Sequence, residues 1–525
     1  MKKTVFDFKA SLSVPNWQHN FTWMLSEQDI EKDYAQQEQN IIHYAENIDN
    51  KKKQNLFLLS IKFIKVRVNG LFIATLAVQN SQKQSIDLIS TIPEFNYLKT
   101  GKEKYLKNKF KQIVIDPKIK LPFLRRIVRT LSWTKWWKLP LTIIKPDVIA
   151  VGHNEVLVRK AQLSKKRVYF YQYFNIIDKA NKLYKKQPLP DYYDELCEDI
   201  YKLLIDETKL ETKCKKRLKE LACDFINQSI KRDFHALEAL YQYQKLPKNI
   251  WIGTGGGYSF RLLALATLYK KGNAVGFSHS TTPILIFSKE NNQLQELAVV
   301  SEFVGISPKA KEIISKLCTK NINPNISFID GCPFFKNQFH KTKKIINKKK
   351  QKPTIIYISS PVYDLNKNPI FSNAMVYLDW QLRLTAMLDK MNINLICQPH
   401  PEGIFKDKNL THPLLEKYSI PKCRFEKVMQ HADIFLIDCI YSTAVGHMFI
   451  SNKPIVRISL LDSSNSYGVR EDIRPMVDKR CRNIKAWFDD DNLLYVDKKE
   501  LEYALTNNWQ EKVDSTEFRE LLIGG

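Results

Sequence analysis

The sequence predicts an α/β protein with two domains, each built around a parallel β-sheet. Three observations predict this class. The chain has 525 residues, which is more than one hydrophobic core usually serves. Short apolar strands alternate with helices in two separate blocks, as they do in parallel sheets. Between the blocks, residues 341–352 contain seven lysines and are typical of an interdomain linker.

The domain organisation follows from these blocks. Residues 1–55 are polar and weakly patterned, and we interpret them as an N-terminal extension. The other units are a first Rossmann-like domain, the linker, a second Rossmann-like domain and a helical tail, at 56–340, 341–352, 353–490 and 491–525.

Two parts of the first domain depart from the strand–helix alternation. Residues 55–78 alternate apolar and basic side chains, which predicts two strands joined by a hairpin turn at Asn69-Gly70. Residues 190–245 are mixed in charge and helical in pattern, so we expect a helical insertion there.

Residues 102–145 form a basic, tryptophan-rich segment. They contain 13 Lys and Arg residues but only two acidic ones, and Trp133, Trp136 and Trp137 lie among the basic residues. Basic residues with interfacial tryptophans are typical of a segment that lies on a membrane surface. The alternative is a solvated basic face whose tryptophans fill the domain core.

The strands of the first block end in polar or glycine-rich turns. The predicted strands lie at Val148–Val151, Val168–Tyr173, Asn249–Gly253, Ala274–Ser278, Glu302–Gly305 and Ile326–Ile329. Glu155 lies just after the first of these strands. Gly255 and Gly256 follow the third and open a helix, and His279 follows the fourth. Because ligands of open parallel sheets bind at the carboxyl ends of strands, these turns are candidate site positions.

Each of these residues has a functional interpretation beside a structural one. Glu155 is the leading carboxylate for a catalytic base or nucleophile. His279 is either a general base or a loop histidine held by hydrogen bonds. Gly255 and Gly256 predict close backbone approach to an anionic or sugar ligand, or else only a tight turn. Arg261, one turn into the helix, is placed to bind a phosphate or carboxylate.

The second block carries the most informative pattern. Its predicted elements are strands at Thr354–Ser359, Asn394–Gln398, Ile434–Ile437 and Pro454–Ser459, with a helix near 376–390. The second of these strands ends in a turn that contains His400, held between two prolines, and Glu402. The third ends at Asp438 and leads to Ser442 and Thr443 at the start of a helix.

These residues predict a phosphate site. A helix N-terminus with two hydroxyls, Ser442 and Thr443, suits a phosphate, and His400 can donate to the same anion. The alternatives are simple N-capping by the hydroxyls and a surface turn for the histidine. Asp438 either binds a ribose hydroxyl or braces the turn. Lys453 and Arg457 are possible further sources of positive charge.

Composition limits the other classes of function. The net charge of +27 fits nucleic acid, anionic lipid or phosphorylated substrates as partners, and equally fits a compositional bias towards lysine. The nine cysteines show no C-x-x-C pair, so we expect reduced thiols. We expect no metal and no cofactor beside the substrate, since the only aspartates spaced to hold Mg²⁺ are Asp489-Asp490-Asp491, in a predicted surface loop. No apolar run is long enough to cross a bilayer, and the start of the chain is unlike a signal peptide, which predicts a cytosolic protein.

Over about 246–460 the chain resembles the GT-B glycosyltransferases of bacterial surface-polysaccharide synthesis. That group includes capsule Kdo transferases, polysialyltransferases and CDP-glycerol glycerophosphotransferases. The segments that carry the resemblance are Trp251-Ile252-Gly253-Thr254-Gly255, Gly276-Phe277-Ser278-His279, the 328–333 turn, Gln398-Pro399-His400-Pro401, and 433–443 leading to Lys453-Pro454.

The resemblance implies two Rossmann-like domains that face a cleft, and transfer from a nucleotide-activated, CMP-linked sugar of Kdo or sialic type. It implies that His400, Ser442 and Thr443 hold the cytidine nucleotide and that His279 acts as the base. The acidic pair followed by glycine that these families carry in the first domain is absent here, and Glu155 is the nearest substitute.

The implied partners are a nucleotide-sugar donor, a polysaccharide or lipid-linked acceptor and the anionic inner face of the bacterial cytoplasmic membrane, without nucleic acid. The alternatives are a CDP-glycerol or CDP-ribitol polyol-phosphate transferase on the same scaffold, and a basic RNA- or glycan-binding protein without catalysis.

Overall fold

The computed structural model describes most of the chain. The described residues are 2–105, 146–278 except His153 and Gln172, 281–286, 291–317, 322–323, 325–330, 352–360, 362, 373–398, 412–418, 425–438, 440, 442, 444–460, 468–507 and 513–523. Most of the basic tryptophan-rich segment (102–145) and nearly all of the linker (341–352) therefore lie outside the described residues.

The first hundred residues form a mostly helical unit with a small parallel sheet. Strand β1 (Lys2–Val5) pairs with β2 (Ile86–Ile89). The helices between and after them are α1 (Phe8–Ser11), a 3-10 turn (Trp17–Asn20), α2 (Glu27–Glu46), α3 (Lys51–Lys83), α4 (Pro93–Thr100) and a 3-10 turn (Glu103–Tyr105). Ser26 caps α2 and Asn50 caps α3, each accepting backbone N–H bonds at the helix start.

The prediction of two strands and a hairpin over 55–78 is wrong, because α3 runs unbroken through this range. The helix is buried around most of its circumference, so buried positions form unbroken runs such as 54–61 and 68–75 and the helical period is hidden. Asn69 exchanges two amide hydrogen bonds with Gln37 of α2 instead of forming a turn. The expected domain boundary after residue 55 falls inside this helix.

The first Rossmann-like sheet has six parallel strands. They are β3 (Val148–Val151), β4 (Val168–Tyr171), β5 (Asn249–Ile252), β6 (Asn273–Phe277), β7 (Glu302–Val304) and β8 (Ser327–Ile329), in the order β4-β3-β5-β6-β7-β8. The surrounding helices are α5 (Glu155–Leu163), α6 (Tyr173–Leu183), α7 (Tyr193–Leu204), a 3-10 turn (Glu207–Lys209), α8 (Thr212–Gln242), α9 (Tyr258–Tyr269), α10 (Thr282–Leu285), a π-helix (Asn291–Leu297) and α11 (Pro308–Ser315). The helical insertion predicted at 190–245 is confirmed as α7 and α8.

The second sheet repeats this strand order. Its strands are β9 (Thr354–Ile358), β10 (Asn394–Gln398), β11 (Ile434–Ile437), β12 (Ile455–Ser459), β13 (Arg482–Phe488) and β14 (Leu494–Val496), in the order β10-β9-β11-β12-β13-β14. All pairs are parallel except β13–β14. The helices are α12 (Ala374–Leu388), α13 (Pro413–Tyr418), α14 (Phe425–Val428), a 3-10 turn (Met429–His431), α15 (Ala444–Phe449), α16 (Arg474–Arg480), α17 (Lys498–Thr506) and α18 (Thr516–Ile523).

The expected α/β class with parallel sheets is thus confirmed. The tail expected at 491–525 is not wholly helical, since β14 completes the second sheet before the last two helices.

Both ends of the chain tie the two sheets together. Near the start, the backbone N–H of Trp23 donates to Asp491 at 3.0 Å, and Asn373 donates to the carbonyl of Phe6 at 3.0 Å. Near the end, α18 packs against α11 of the first domain, and Ser307 donates to the carbonyl of Leu521. These contacts between the two domains therefore come from segments near the two ends of the chain, and not from the central strands of either sheet.

Candidate functional site

The two sheets place their candidate residues at equivalent points. In each sheet the second strand lies on one side of the first strand, and the third strand lies on the other side. β3 is therefore adjacent to β5, and β9 is adjacent to β11. The crevice at the carboxyl ends of such a pair is where doubly wound sheets bind ligands. Glu155 and Gly255 follow β3 and β5, and Asp438 follows β11.

A segment that follows the first sheet's strand β6 contacts a segment that follows the second sheet's strand β12. Helix α10, which follows β6, ends at Leu285, whose carbonyl accepts a hydrogen bond from the backbone N–H of Arg470 at 3.0 Å. Ile286 forms an antiparallel bridge with Val469. Residues 468–470 follow β12 along the chain, so these bonds join a segment that follows β6 to a segment that follows β12.

The glycine-rich turn after β5 already contacts an anion of the chain itself. The N–H of Gly255 donates to the buried carboxylate of Glu296 at 2.8 Å, and the hydroxyl of Thr254 donates to its other oxygen at 2.8 Å. The N–H of Gly256 donates to Thr254 at 2.9 Å, and Lys62 of α3 donates to the carbonyl of Gly256 at 2.6 Å. A Cβ at position 255 would overlap the carbonyl of Gln295. The expected close approach therefore exists, but it is made by the π-helix and not by a ligand.

The expectation that Arg261 binds a phosphate is wrong, because its side chain is fully buried. Its guanidinium donates to the carbonyls of Leu58 on α3, Gly255 in the turn, and Leu294 and Gln295 in the π-helix, at 2.6 to 3.1 Å. Arg261 thus holds three elements together below the turn and acts as a positioning residue.

Asn154 is a residue that the sequence analysis missed. Its amide oxygen caps α5 by accepting from Leu157 at 2.7 Å. Its amide nitrogen donates to the carbonyls of Gly253 and Phe277, and so joins the carboxyl ends of β3, β5 and β6. Glu155 is exposed in the first turn of α5, just after the carboxyl end of β3. The predicted base His279 lies outside the described residues, two positions after Phe277.

Asp438 is buried within a network of aromatic donors. Its carboxylate is 4% exposed and accepts from Tyr357 at 2.5 Å, from Tyr377 at 3.0 Å and from the indole of Trp380 at 3.1 Å. Tyr377 also accepts the backbone N–H of Ser360 at 2.8 Å. Of the two interpretations of Asp438, the structure therefore supports the one in which it braces the turn. Its enclosed carboxylate leaves little surface for a ribose hydroxyl, against the prediction that Asp438 binds the nucleotide directly.

Burial raises the pKa of Asp438 from 3.8 to about 6, although the three donors act in the opposite direction. Between these values the folded protein binds more protons at this site than the unfolded chain does. The contribution of Asp438 to stability is therefore complete below about pH 4 and is lost as the pH rises through about 6.

We expect the free energy of unfolding of the wild-type protein, relative to Asp438→Asn, to fall by roughly 3 kcal/mol between about pH 4 and about pH 7. Urea unfolding of both proteins across this range measures it. The exposed Asp29→Asn is the control and should show no such trend. A difference that does not change with pH would contradict the protonation of Asp438.

Ser442 precedes the short helix α15, and its hydroxyl accepts from the backbone N–H of Ala444 at 3.3 Å. This bond satisfies the first backbone N–H of the helix. His400, Glu402 and Thr443 lie outside the described residues. Of the two basic residues considered nearby, Lys453 donates to carbonyls at the amino end of β11, and Arg457 donates to Asn483 at 3.0 Å.

Several buried hydroxyls at strand ends have no hydrogen-bond partner within the described part of the chain. They are Ser359 and Ser360 after β9, Ser459 at the end of β12 and Thr281 after β6. Buried polar groups are normally paired, so unpaired ones at strand ends indicate places where water or a ligand is accommodated. Among the described residues, no group of three or more His, Cys, Asp or Glu side chains could hold a metal ion.

Neither protein-family models nor curated proteins supply a relative of this chain. No protein-family model matches the chain, and no curated protein matches it significantly. In the described ranges, no helix combines the length and the apolar character needed to cross a membrane.

Proposed function

We propose that the chain is a glycosyltransferase of the GT-B kind, which moves a sugar from a nucleotide-activated donor to a polysaccharide or lipid-linked acceptor of the bacterial surface. One observation carries the proposal: the two sheets share one strand order, and segments that follow β6 and β12 contact each other at Leu285 and Arg470. Such an arrangement suits a reaction with two substrates, because each crevice can hold one of them.

The second domain would bind the donor, which we propose is CMP-linked and of Kdo or sialic type. His400, Ser442 and Thr443 would donate to its phosphate, and the hydroxyls of Ser359 and Ser360 lie at the end of the adjacent strand. Helix α15 has only six residues, so its dipole is small and the side-chain donors would carry most of the binding. The network around Asp438 would hold the turn that leads to Ser442.

The first domain would bind the acceptor. An acceptor hydroxyl would attack the anomeric carbon while His279 or Glu155 takes its proton. The bond between that carbon and the phosphate oxygen would break, the electron pair would stay on the phosphate, and CMP would leave. His400 and the hydroxyls would stabilise the charge that develops on the leaving phosphate. The protein would work in the cytoplasm, peripherally on the inner face of the membrane.

A thermal-shift comparison of nucleotides tests the proposal. We expect CMP or a CMP-sugar at about 100 times its dissociation constant to stabilise the protein by about 2.7 kcal/mol, and thus to raise its melting temperature by several degrees. His400→Ala should abolish this shift without lowering the melting temperature of the free protein.

The control is His431→Ala, since His431 is exposed at the amino end of the same sheet, and its shift should equal that of the wild type. Stabilisation by CDP-glycerol or CDP-ribitol alone would replace the proposal with a polyol-phosphate transferase. If no nucleotide changes the melting temperature, the transferase proposal fails.

A further inference from the structure

The first domain carries a groove at the edge of its sheet opposite the candidate site. The groove has a volume of about 460 Å³ and lies between the C-terminal ends of helices α6 and α8. Its floor is apolar and includes Ala180, Ala239 and Tyr243. Since α6 follows the carboxyl end of β4 and α8 leads into the amino end of β5, this groove lies at the amino edge of the sheet.

Lysines surround the groove. Lys179, Lys182 and Lys245 line it, and no acidic residue does. The two stretches of chain that form it, 179–190 and 239–250, contain six lysines and no Asp or Glu. The pKa of the nearby His235 is lowered, first by burial and then by the positive charges of Lys186 and Lys231, which is consistent with a positive potential around this surface.

The rim of the groove exposes aliphatic side chains. Leu183, which lines the groove, is 71% exposed, the highest value among the large apolar residues that the structure describes. Leu189, six positions further along the chain, is 36% exposed. Exposed leucines beside clustered lysines are typical of surfaces that lie on a membrane, where leucines enter the headgroup region and lysines contact lipid phosphates.

We propose that this lysine groove, formed by Lys179, Lys182 and Lys245 around Leu183, docks the protein on an anionic lipid bilayer. An anionic bilayer satisfies both features of the surface, since it supplies phosphates for the lysines and a hydrocarbon boundary for the leucines. Single-stranded nucleic acid fits less well, because it is held by stacking on exposed aromatic rings. Tyr243 is buried in the floor, and Tyr184 is bonded to His235 at 2.9 Å.

This docking surface has a consequence for the acceptor, and the consequence rests on the proposed function. The docking on the bilayer does not depend on that function. With the amino edge of the first sheet on the bilayer, the carboxyl edges that carry the candidate site face away from it. The acceptor would then be a saccharide long enough to reach past the domain, and not a sugar at the lipid surface itself.

Vesicle co-sedimentation of the full chain tests the inference. The wild type should bind vesicles that contain phosphatidylglycerol, bind pure phosphatidylcholine vesicles at least about tenfold more weakly, and lose binding as salt rises. Each lysine near an anionic surface contributes roughly a fivefold factor, so the triple variant Lys179→Glu, Lys182→Glu, Lys245→Glu should bind at least about a hundredfold more weakly. Leu183→Ala should reduce binding severalfold without changing its salt dependence.

A control with the same charge change combines Lys213→Glu, Lys216→Glu and Lys390→Glu. The first two lie on the same helix as the groove, roughly 40 Å away at 1.5 Å per residue, and the third is in the second domain. This control should keep the larger share of binding, within about tenfold of the wild type.

Melting temperature and the nucleotide shift should be unchanged in the groove variant, which separates this inference from the proposed function. Unaltered vesicle binding by that variant would overturn the inference, even if nucleotides bind. The inference would also be overturned if the groove variant lost binding to single-stranded RNA but kept binding to the phosphatidylglycerol vesicles.

Discussion

Replacing Arg261 by methionine should destabilise the protein by about 4 kcal/mol. The substitution removes all the hydrogen bonds that a fully buried guanidinium donates to the carbonyls of α3, the glycine turn and the π-helix. Those carbonyls would stay buried without a donor, and each costs free energy comparable to a lost hydrogen bond. Arg261→Lys should lose nearly as much, because one ammonium group cannot span three elements as the planar guanidinium does.

Equilibrium unfolding in guanidinium chloride measures both effects. Arg167→Met is the matched control, since Arg167 pairs with Asp147 at the surface, and its loss should change stability little. A phosphate ligand at position 261 would give the opposite pattern, with Arg261→Met retaining stability and losing nucleotide binding. That outcome would support phosphate binding by Arg261 despite the burial of its side chain.

Replacing Asp438 by alanine should cost about 3 kcal/mol at neutral pH. The change leaves three buried donors without an acceptor, namely the hydroxyls of Tyr357 and Tyr377 and the indole of Trp380. Part of this cost is offset because the variant no longer buries a carboxylate. If the donor binds as proposed, the nucleotide shift should also shrink, since Asp438 ends strand β11 four positions before Ser442.

A double-mutant cycle isolates the network from other effects of the substitution. Asp438→Asn and Tyr357→Phe, alone and combined, should show a coupling free energy of about 1 kcal/mol or more. Asp29→Ala, at an exposed carboxylate on α2, should lie within about 0.5 kcal/mol of the wild type. Additive effects of the two substitutions would contradict the hydrogen bond between Tyr357 and Asp438.

Sequence reasoning predicted the two parallel sheets well, because buried parallel strands leave a strong local signal. Each strand is a short apolar run that stops at a glycine or polar turn, as at Ile434–Ile437 before Asp438. The same reasoning failed at α3, where a helix buried on nearly every side has no polar face to reveal its period.

The candidate site was predicted less well, since its defining contacts join residues far apart in the sequence. Thr254 and Glu296 are separated by 42 positions, and Asn154 and Phe277 by 123. A glycine-rich turn shows that something approaches closely, but nothing local shows that the partner is the chain's own carboxylate. Asn154 had a local signal as a helix cap, yet its bonds across three strand ends depend on the folded sheet.

The ties between the two ends of the chain bear on how the protein is made. Trp23 bonds with Asn492, a partner 469 positions later. At the usual speed of translation, roughly half a minute to a minute and a half passes between the synthesis of these two residues. During that interval the backbone N–H and carbonyl of Trp23 lack these late partners, whereas its ring contacts Phe6 within the early segment itself. The bonds between residues 22–23 and 491–492 thus form only after residue 492 has been synthesised.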